Sequence, residues 1–235
     1  MATGYPKPVE RYRVGLELLG SIENQKVLDA GCGFGTLQPH LPDAMGVDRH
    51  WTNLQRGLAS LGESFQDRLV ASNLENIPFP DQLFDAIILL ETLEHVDNEE
   101  VVLEEMARVL KKGGRFVLSV PHHRLIYNII DLEHWFVPLI TKRAVHRHYR
   151  KKKLQKMLEE KGFRVDACLE RGMLIAACMR WFYLPFDLTD YFFTGGFQGP
   201  MGKSIRKIFD RCVDWEFGIP TFFGGSLFVV AHKEI

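Results

Sequence analysis

Through the first two thirds of the chain, short apolar runs alternate with stretches whose apolar residues recur at helical spacing. That alternation is the order expected of βαβ units and a mainly parallel sheet. Strands are predicted at Lys26–Ala30, Met45–Asp48, Leu69–Ser72, Ala86–Leu90 and Arg115–Val120. Runs so continuously apolar suit parallel strands buried on both faces. Val9–Leu19 reads as a leading helix, and Thr52–Leu61 and Glu99–Leu110 as helices between strands. Gly113-Gly114 marks the turn into the fifth strand. After Val120 the pattern loosens until Lys153–Lys161, a helix ended by Gly162, with strands at Phe163–Leu169 and Ser226–His232.

Between those last two strands the connection is far too long for a turn, since ordinary connections run to ~4 to 6 residues. The 55 residues from Arg171 to Gly225 hold 13 of the chain's 27 Phe, Trp and Tyr residues, Trp181, Phe186, Tyr191, Phe197 and Trp215 among them. This segment is read as an insertion that presents apolar surface. At 235 residues the chain accommodates one α/β core of ~100 to 200 residues plus such an addition. Lys and Arg (29) nearly balance Asp and Glu (30), so no overall charge excess points to nucleic acid or a membrane surface.

Cys32, Cys168, Cys178 and Cys212 are widely spaced and form no C-x-x-C pair, which fits reduced thiols and a cytoplasmic location. Met1–Pro8 shows none of the features of a signal peptide. The longest apolar stretch, Gly172–Phe186, is interrupted by Arg180 and Pro185 and is shorter than the ~20 residues of a spanning helix.

The strongest chemical signal is Val27-Leu28-Asp29-Ala30-Gly31-Cys32-Gly33-Phe34-Gly35-Thr36, a strand running into a glycine-rich turn. Glycine there permits a tight turn and lets a ligand touch backbone that a Cβ would shield. Asp48 closes the second strand seventeen positions after Gly31, where an acid can hold ribose hydroxyls. A dinucleotide site would carry G-x-G-x-x-G beside a pyrophosphate, whereas the spacing here is G-x-G-x-G. Asp29 just before the turn would repel a pyrophosphate, yet it suits the cationic sulfonium and ammonium end of S-adenosylmethionine.

With these residues the chain resembles the class I S-adenosylmethionine-dependent methyltransferases. Ser72-Asn73-Leu74-Glu75-Asn76-Ile77-Pro78-Phe79 with Phe84-Asp85 looks like that family's adenine-contacting loop and fourth strand, and Leu110-Lys111-Lys112-Gly113-Gly114-Arg115 like its turn into strand five. The likeness covers about Val27 to Val120. It implies a Rossmann-like α/β fold, a seven-stranded mainly parallel sheet with helices on both faces, and a single domain over 1–235 with a substrate cap at 171–225. It also implies cofactor contacts from Asp29, Gly31, Cys32, Gly33, Gly35, Asp48, Arg49, Asn73, Leu74 and Leu90. Asn73 departs from the pattern, standing where many relatives have an Asp that accepts from the adenine amino group; an Asn carbonyl can still accept.

Methyl transfer from a sulfonium is an in-line displacement, in which positioning supplies most of the acceleration. A hydroxyl or ammonium acceptor needs a base, and His95, just after the fourth strand, is well placed. Five of the nine histidines fall between His122 and His148, and His148 is the second candidate. Glu91, Glu94, His95 and His148 further resemble the E-x-x-E-H order of ubiquinone-pathway O-methyltransferases and small-RNA methyltransferases, in which carboxylates and histidines bind a divalent metal. Metal-free catalysis by His95 is the default expectation.

The expected reaction is O-methylation of a fairly apolar small molecule or lipid-linked intermediate. Methylation of RNA, suggested by seven Lys or Arg residues in Lys142–Lys153, is the competing reading, and nucleic acid is not the expected partner. A cofactor-binding interaction module without catalysis is the third. Peripheral contact with a membrane and the oligomeric state stay open.

Overall fold

The structure, a computed structural model, describes residues 10–41, 43–123, 147–172 and 225–234. The described elements are helix α1 (Glu10–Leu19), strand β1 (Val27–Ala30), β2 (Met45–Asp48), α2 (Trp51–Leu61), β3 (Leu69–Ala71), β4 (Phe84–Leu90), α3 (Glu99–Val109), β5 (Leu110–Pro121), α4 (Lys151–Glu160), β6 (Phe163–Arg171) and β7 (Ser226–Lys233). They form one seven-stranded sheet of order β3-β2-β1-β4-β5-β7-β6. The pairings among β1 to β5 are parallel, while β7 runs antiparallel to both β5 and β6. The expected Rossmann-like, mainly parallel α/β sheet is therefore present. Its order reverses between β1 and β4, the place where open α/β sheets bind ligands outside the carboxyl ends of their strands.

Alternate side chains of a strand point to opposite faces, and here each face has its own core. On one face Leu28, Ile87, Leu89, Phe116 and Leu118 pack with Leu103 and Met106 of α3 and with Leu154 and Leu158 of α4. On the other, Val27, Ala86, Ile88, Leu90 and Val117 pack with Val14 and Leu19 of α1. The unbroken apolar run Ala86–Leu90 of β4 follows from this double burial, and β1 is buried along its whole length.

One boundary differs from the sequence reading in an instructive way. Leu110 was expected to end the third helix, but its backbone is extended (φ −77, ψ 136) and pairs with Phe84. Burying Leu110 completely against the sheet outweighs its helical propensity, so β5 starts directly where α3 stops.

The expected cap at 171–225 lies outside the described residues except for its ends. Those ends meet: Arg171 pairs with Ser226, and the Gly225 N–H donates to the Gly172 carbonyl at 2.6 Å. The Gly225 carbonyl in turn accepts from His122, just past the end of β5. The intervening segment thus leaves and rejoins the sheet at the carboxyl end of β5. Among the described residues no helix is long and apolar enough to cross a membrane.

α3 begins at an Asn98 cap, whose Oδ1 accepts from the N–H groups of Glu100 (3.2 Å) and Val101 (3.3 Å). Asn98→Ala should cost about 1 kcal/mol of folding stability, read from the urea midpoint at unchanged slope.

Candidate cofactor and acceptor site

The turn after β1 is built from its backbone. Gly31 and Cys32 both donate their N–H groups to the Val47 carbonyl, at 2.7 and 2.9 Å, which ties the turn to β2. Gly31 adopts φ +75, and a Cβ placed there would lie 2.4 Å from the Thr92 side chain, so both conformation and space demand glycine. Gly33 (φ +54) has open space where a Cβ would be, and its N–H donates to Asp48 Oδ2 at 3.0 Å. Asp48 Oδ1 accepts from the His50 N–H at 2.8 Å. The acid that closes β2 is thereby held by the turn on one side and by the start of α2 on the other.

A cavity of about 590 Å³ opens along these groups. Of the expected cofactor residues, Gly31, Asp48, Arg49, Asn73 and Leu74 line it. Asn73 Oδ1 already accepts from the Glu75 N–H at 3.2 Å, shaping the loop after β3. Asp29, Cys32, Gly33, Gly35 and Leu90 are not among the residues that line it. Asp29 is buried, accepts from Gln38 Nε2 at 3.2 Å, and is pushed up to about 7. Burial is the main cause, opposed by the Gln38 hydrogen bond and reinforced by the charge of Asp48. Burial likewise pushes the Cys32 thiol up, which leaves it an inert part of the packing. Leu90 faces Gly15 of α1. His50, Thr52 and Asn53 at the start of α2 complete the wall, and sequence reading had passed over them. Their signal was available: they closely follow Asp48 at a strand end.

Glu91, Thr92, His95 and Val96, from beyond β4, also line the cavity. Glu91 follows β4 with φ +48, a left-handed backbone unusual for a residue with a side chain. Its N–H donates to the Ser119 carbonyl at 3.1 Å, and Ser119 Oγ donates to Glu91 Oε1 at 2.8 Å. Burial raises the Glu91 carboxyl above its ordinary value, while Arg11, Ser119 and His148 pull it back. Glu94 is buried, and burial with the charge of Glu91 holds it well above the usual carboxylate range. His95 Nε2 lies 3.9 Å from Glu94 Oε1, with its ring about half exposed.

His148 is not on the cavity wall, though it is near enough for its charge to act on Glu91. Its strand-like segment is pinned by the next residue. The Tyr149 N–H donates to the Pro121 carbonyl at 2.9 Å, and its hydroxyl donates to Glu99 Oε2 at 2.7 Å. Among the described residues no three His, Cys, Asp or Glu side chains gather as metal ligands. Of the four residues in the E-x-x-E-H resemblance, Glu91 and His95 line the cavity, Glu94 is buried and His148 lies off its wall.

Comparison with known proteins agrees with this geometry. Residues 28–118 match a family described as "Methyltransferase domain". The chain is similar to the ubiquinone/menaquinone biosynthesis C-methyltransferase UbiE of Shewanella pealeana, with 29% identity over 178 residues covering 64% of this chain and 71% of that protein. It is also similar to the sterol 4-C-methyltransferase strm-1 of Caenorhabditis elegans, at 32% over 109 residues, covering 43% of this chain and 33% of that one. The fold is shared with a solved putative methyltransferase from Bacillus halodurans, at TM-score 0.61 and 20% identity over 95% of this chain and 98% of that one.

The protein is a class I methyltransferase, an enzyme that uses S-adenosylmethionine. The structure's own residues fit that cofactor: a turn that a Cβ would obstruct, open space before Gly33, and a fixed carboxylate on the cavity wall.

Two outcomes follow. Asp48→Ala should weaken S-adenosylmethionine binding in calorimetry by about 1.5 to 3 kcal/mol, the worth of hydrogen bonds to a charged group. Asp29 has its ordinary value of 3.8 in the unfolded chain and about 7 when folded. The fold thus favours its neutral form, and that stability, complete below the unfolded value, is lost as pH rises toward 7. Asp29→Asn should match the wild type near pH 4 and exceed it in urea resistance at pH 8.

Proposed function

We propose that this enzyme methylates a fairly apolar acceptor bearing an ionisable hydroxyl, a small molecule or lipid-linked intermediate, at that oxygen. The observation that carries the reading is the half-exposed His95 on the same cavity wall as the cofactor cradle. S-adenosylmethionine supplies an electrophilic methyl group on a sulfonium. In this reading Gly31, Asp48, Arg49, Asn73 and Leu74 hold the cofactor. His95 takes the hydroxyl proton, a contribution of ~10² to 10⁴-fold. His148, beside Glu91, assists at the acceptor, and the insertion at 171–225 closes an apolar wall over it. The meeting of that insertion's two ends beside β5 supports this arrangement.

A second reading places the methyl group on carbon. Both named relatives are C-methyltransferases, and removing the same hydroxyl proton makes an adjacent ring carbon nucleophilic. The basic run gives RNA little support, because three of its five described members, Arg147, Lys151 and Lys153, are engaged within the chain. Arg147 donates to the Val96 and Asp97 carbonyls, Lys151 to the Cys168 carbonyl, and Lys153 pairs with Glu99.

The test is to trap the acceptor from cell extract on the purified enzyme, identify it by mass spectrometry, and react it with carbon-13 methyl-labelled cofactor. A methoxy carbon resonance supports the first reading and a carbon-bound methyl resonance the second. A labelled ribonucleotide as the product, or no labelled product, would refute both. With the acceptor in hand, His95→Ala should lower kcat by ~10² to 10⁴-fold and leave cofactor affinity unchanged.

A further inference from the structure

The acid nearest the glycine turn in sequence is Asp29, but its carboxyl group is turned away from the cavity. It is 4% exposed, committed to Gln38, and absent from the wall. Glu91 is on that wall, and its neighbour Thr92 occupies the space that a Cβ on Gly31 would need. The carboxylate after β4 therefore stands beside the turn, on the ligand side of it. Nothing in the packing of the core calls for an acid at this point.

We propose that Glu91 receives the α-ammonium group of S-adenosylmethionine, and that Ser119 is the positioning residue that aims it. The inference rests on the cofactor assignment and is independent of the acceptor. Three observations carry it. First, Glu91 is held by a reciprocal clasp. Its N–H reaches the Ser119 carbonyl while its Oε1 accepts from Ser119 Oγ, and Ser119 is itself fully buried. A buried hydroxyl used in this way fixes one carboxylate oxygen and leaves the lone pairs of the other for a ligand. Second, the backbone of Glu91 is left-handed, a conformation unfavourable for a residue with a Cβ and concentrated at ligand sites. Third, charged groups from separate elements gather around it. Arg11 from α1 acts on both Glu91 and Glu94, with His148 near Glu91 from the segment before α4. Burial raises both carboxyls, and a cationic ligand group would favour their charged forms.

The experiment is isothermal calorimetry on the full chain with three ligands. S-adenosylmethionine carries both ammonium and sulfonium, S-adenosylhomocysteine the ammonium alone, and 5′-methylthioadenosine neither. Glu91→Gln keeps the shape and removes the charge. It should weaken S-adenosylmethionine and S-adenosylhomocysteine alike, by about ten- to a hundredfold, and leave methylthioadenosine unchanged. Ser119→Ala should give the same selective pattern at smaller size, and Ser119→Thr, which keeps the hydroxyl, should restore affinity. Unchanged methylthioadenosine binding shows that each variant is folded. Equal loss for all three ligands would overturn the proposal in favour of a structural role for the clasp. Loss confined to S-adenosylmethionine would overturn it in favour of a sulfonium contact, and unchanged binding of all three would overturn it outright. A wild-type chain that binds none of them would remove the cofactor assignment and this inference together.

Discussion

The hydrogen bonds from Gly31 and Cys32 to the Val47 carbonyl, and from Gly33 to Asp48, join the turn after β1 to the end of β2. Parallel strands leave their carboxyl ends as free loops, and without these bonds the two loops would move independently. Tied together, they set backbone N–H groups, a carboxylate and the start of α2 in one fixed frame. The glycine requirement follows from that frame. With the turn drawn in toward β4, Thr92 occupies the volume that a side chain on Gly31 would need.

The neighbouring loop solves a different problem. Burying acids costs stability unless they find partners, and the end of β4 gathers two of them within reach of one arginine. Such an arrangement is poor for folding in isolation. It persists because Ser119, Arg11 and the segment pinned by Tyr149 constrain it from three separate elements. Backbone bonds therefore dominate the cavity around Asp48, and buried carboxyl groups dominate it around Glu91.

The strands and helices of the sheet were largely legible from hydrophobic spacing, because two-sided burial leaves runs such as Ala86–Leu90 continuously apolar. Asp48 on the cavity wall was legible too, since it is placed by its distance from the glycine turn. Asp29 shows where such reading stops. Its position beside the turn is a matter of sequence, but the direction of its side chain depends on Gln38 packing beneath it. Ser119 gave no signal at all. It meets Glu91 because Leu90 and Ser119 are partners across β4 and β5, and that register exists only once the sheet has formed. Arg11 was hidden for the same reason, lying eighty residues from the acids that it faces. Contacts of this kind carry no motif because either partner alone looks ordinary.

The pairing of Arg171 with Ser226, closed by the bond between Gly225 and Gly172, has a consequence for how such an enzyme diversifies. The two strands pair up to Arg171 and Ser226, so the connection between them begins and ends at adjacent positions. Lengthening or replacing a closed loop adds little entropic cost, growing only with the logarithm of its length. The connection can then change in length while the sheet, the turn and Asp48 keep their places.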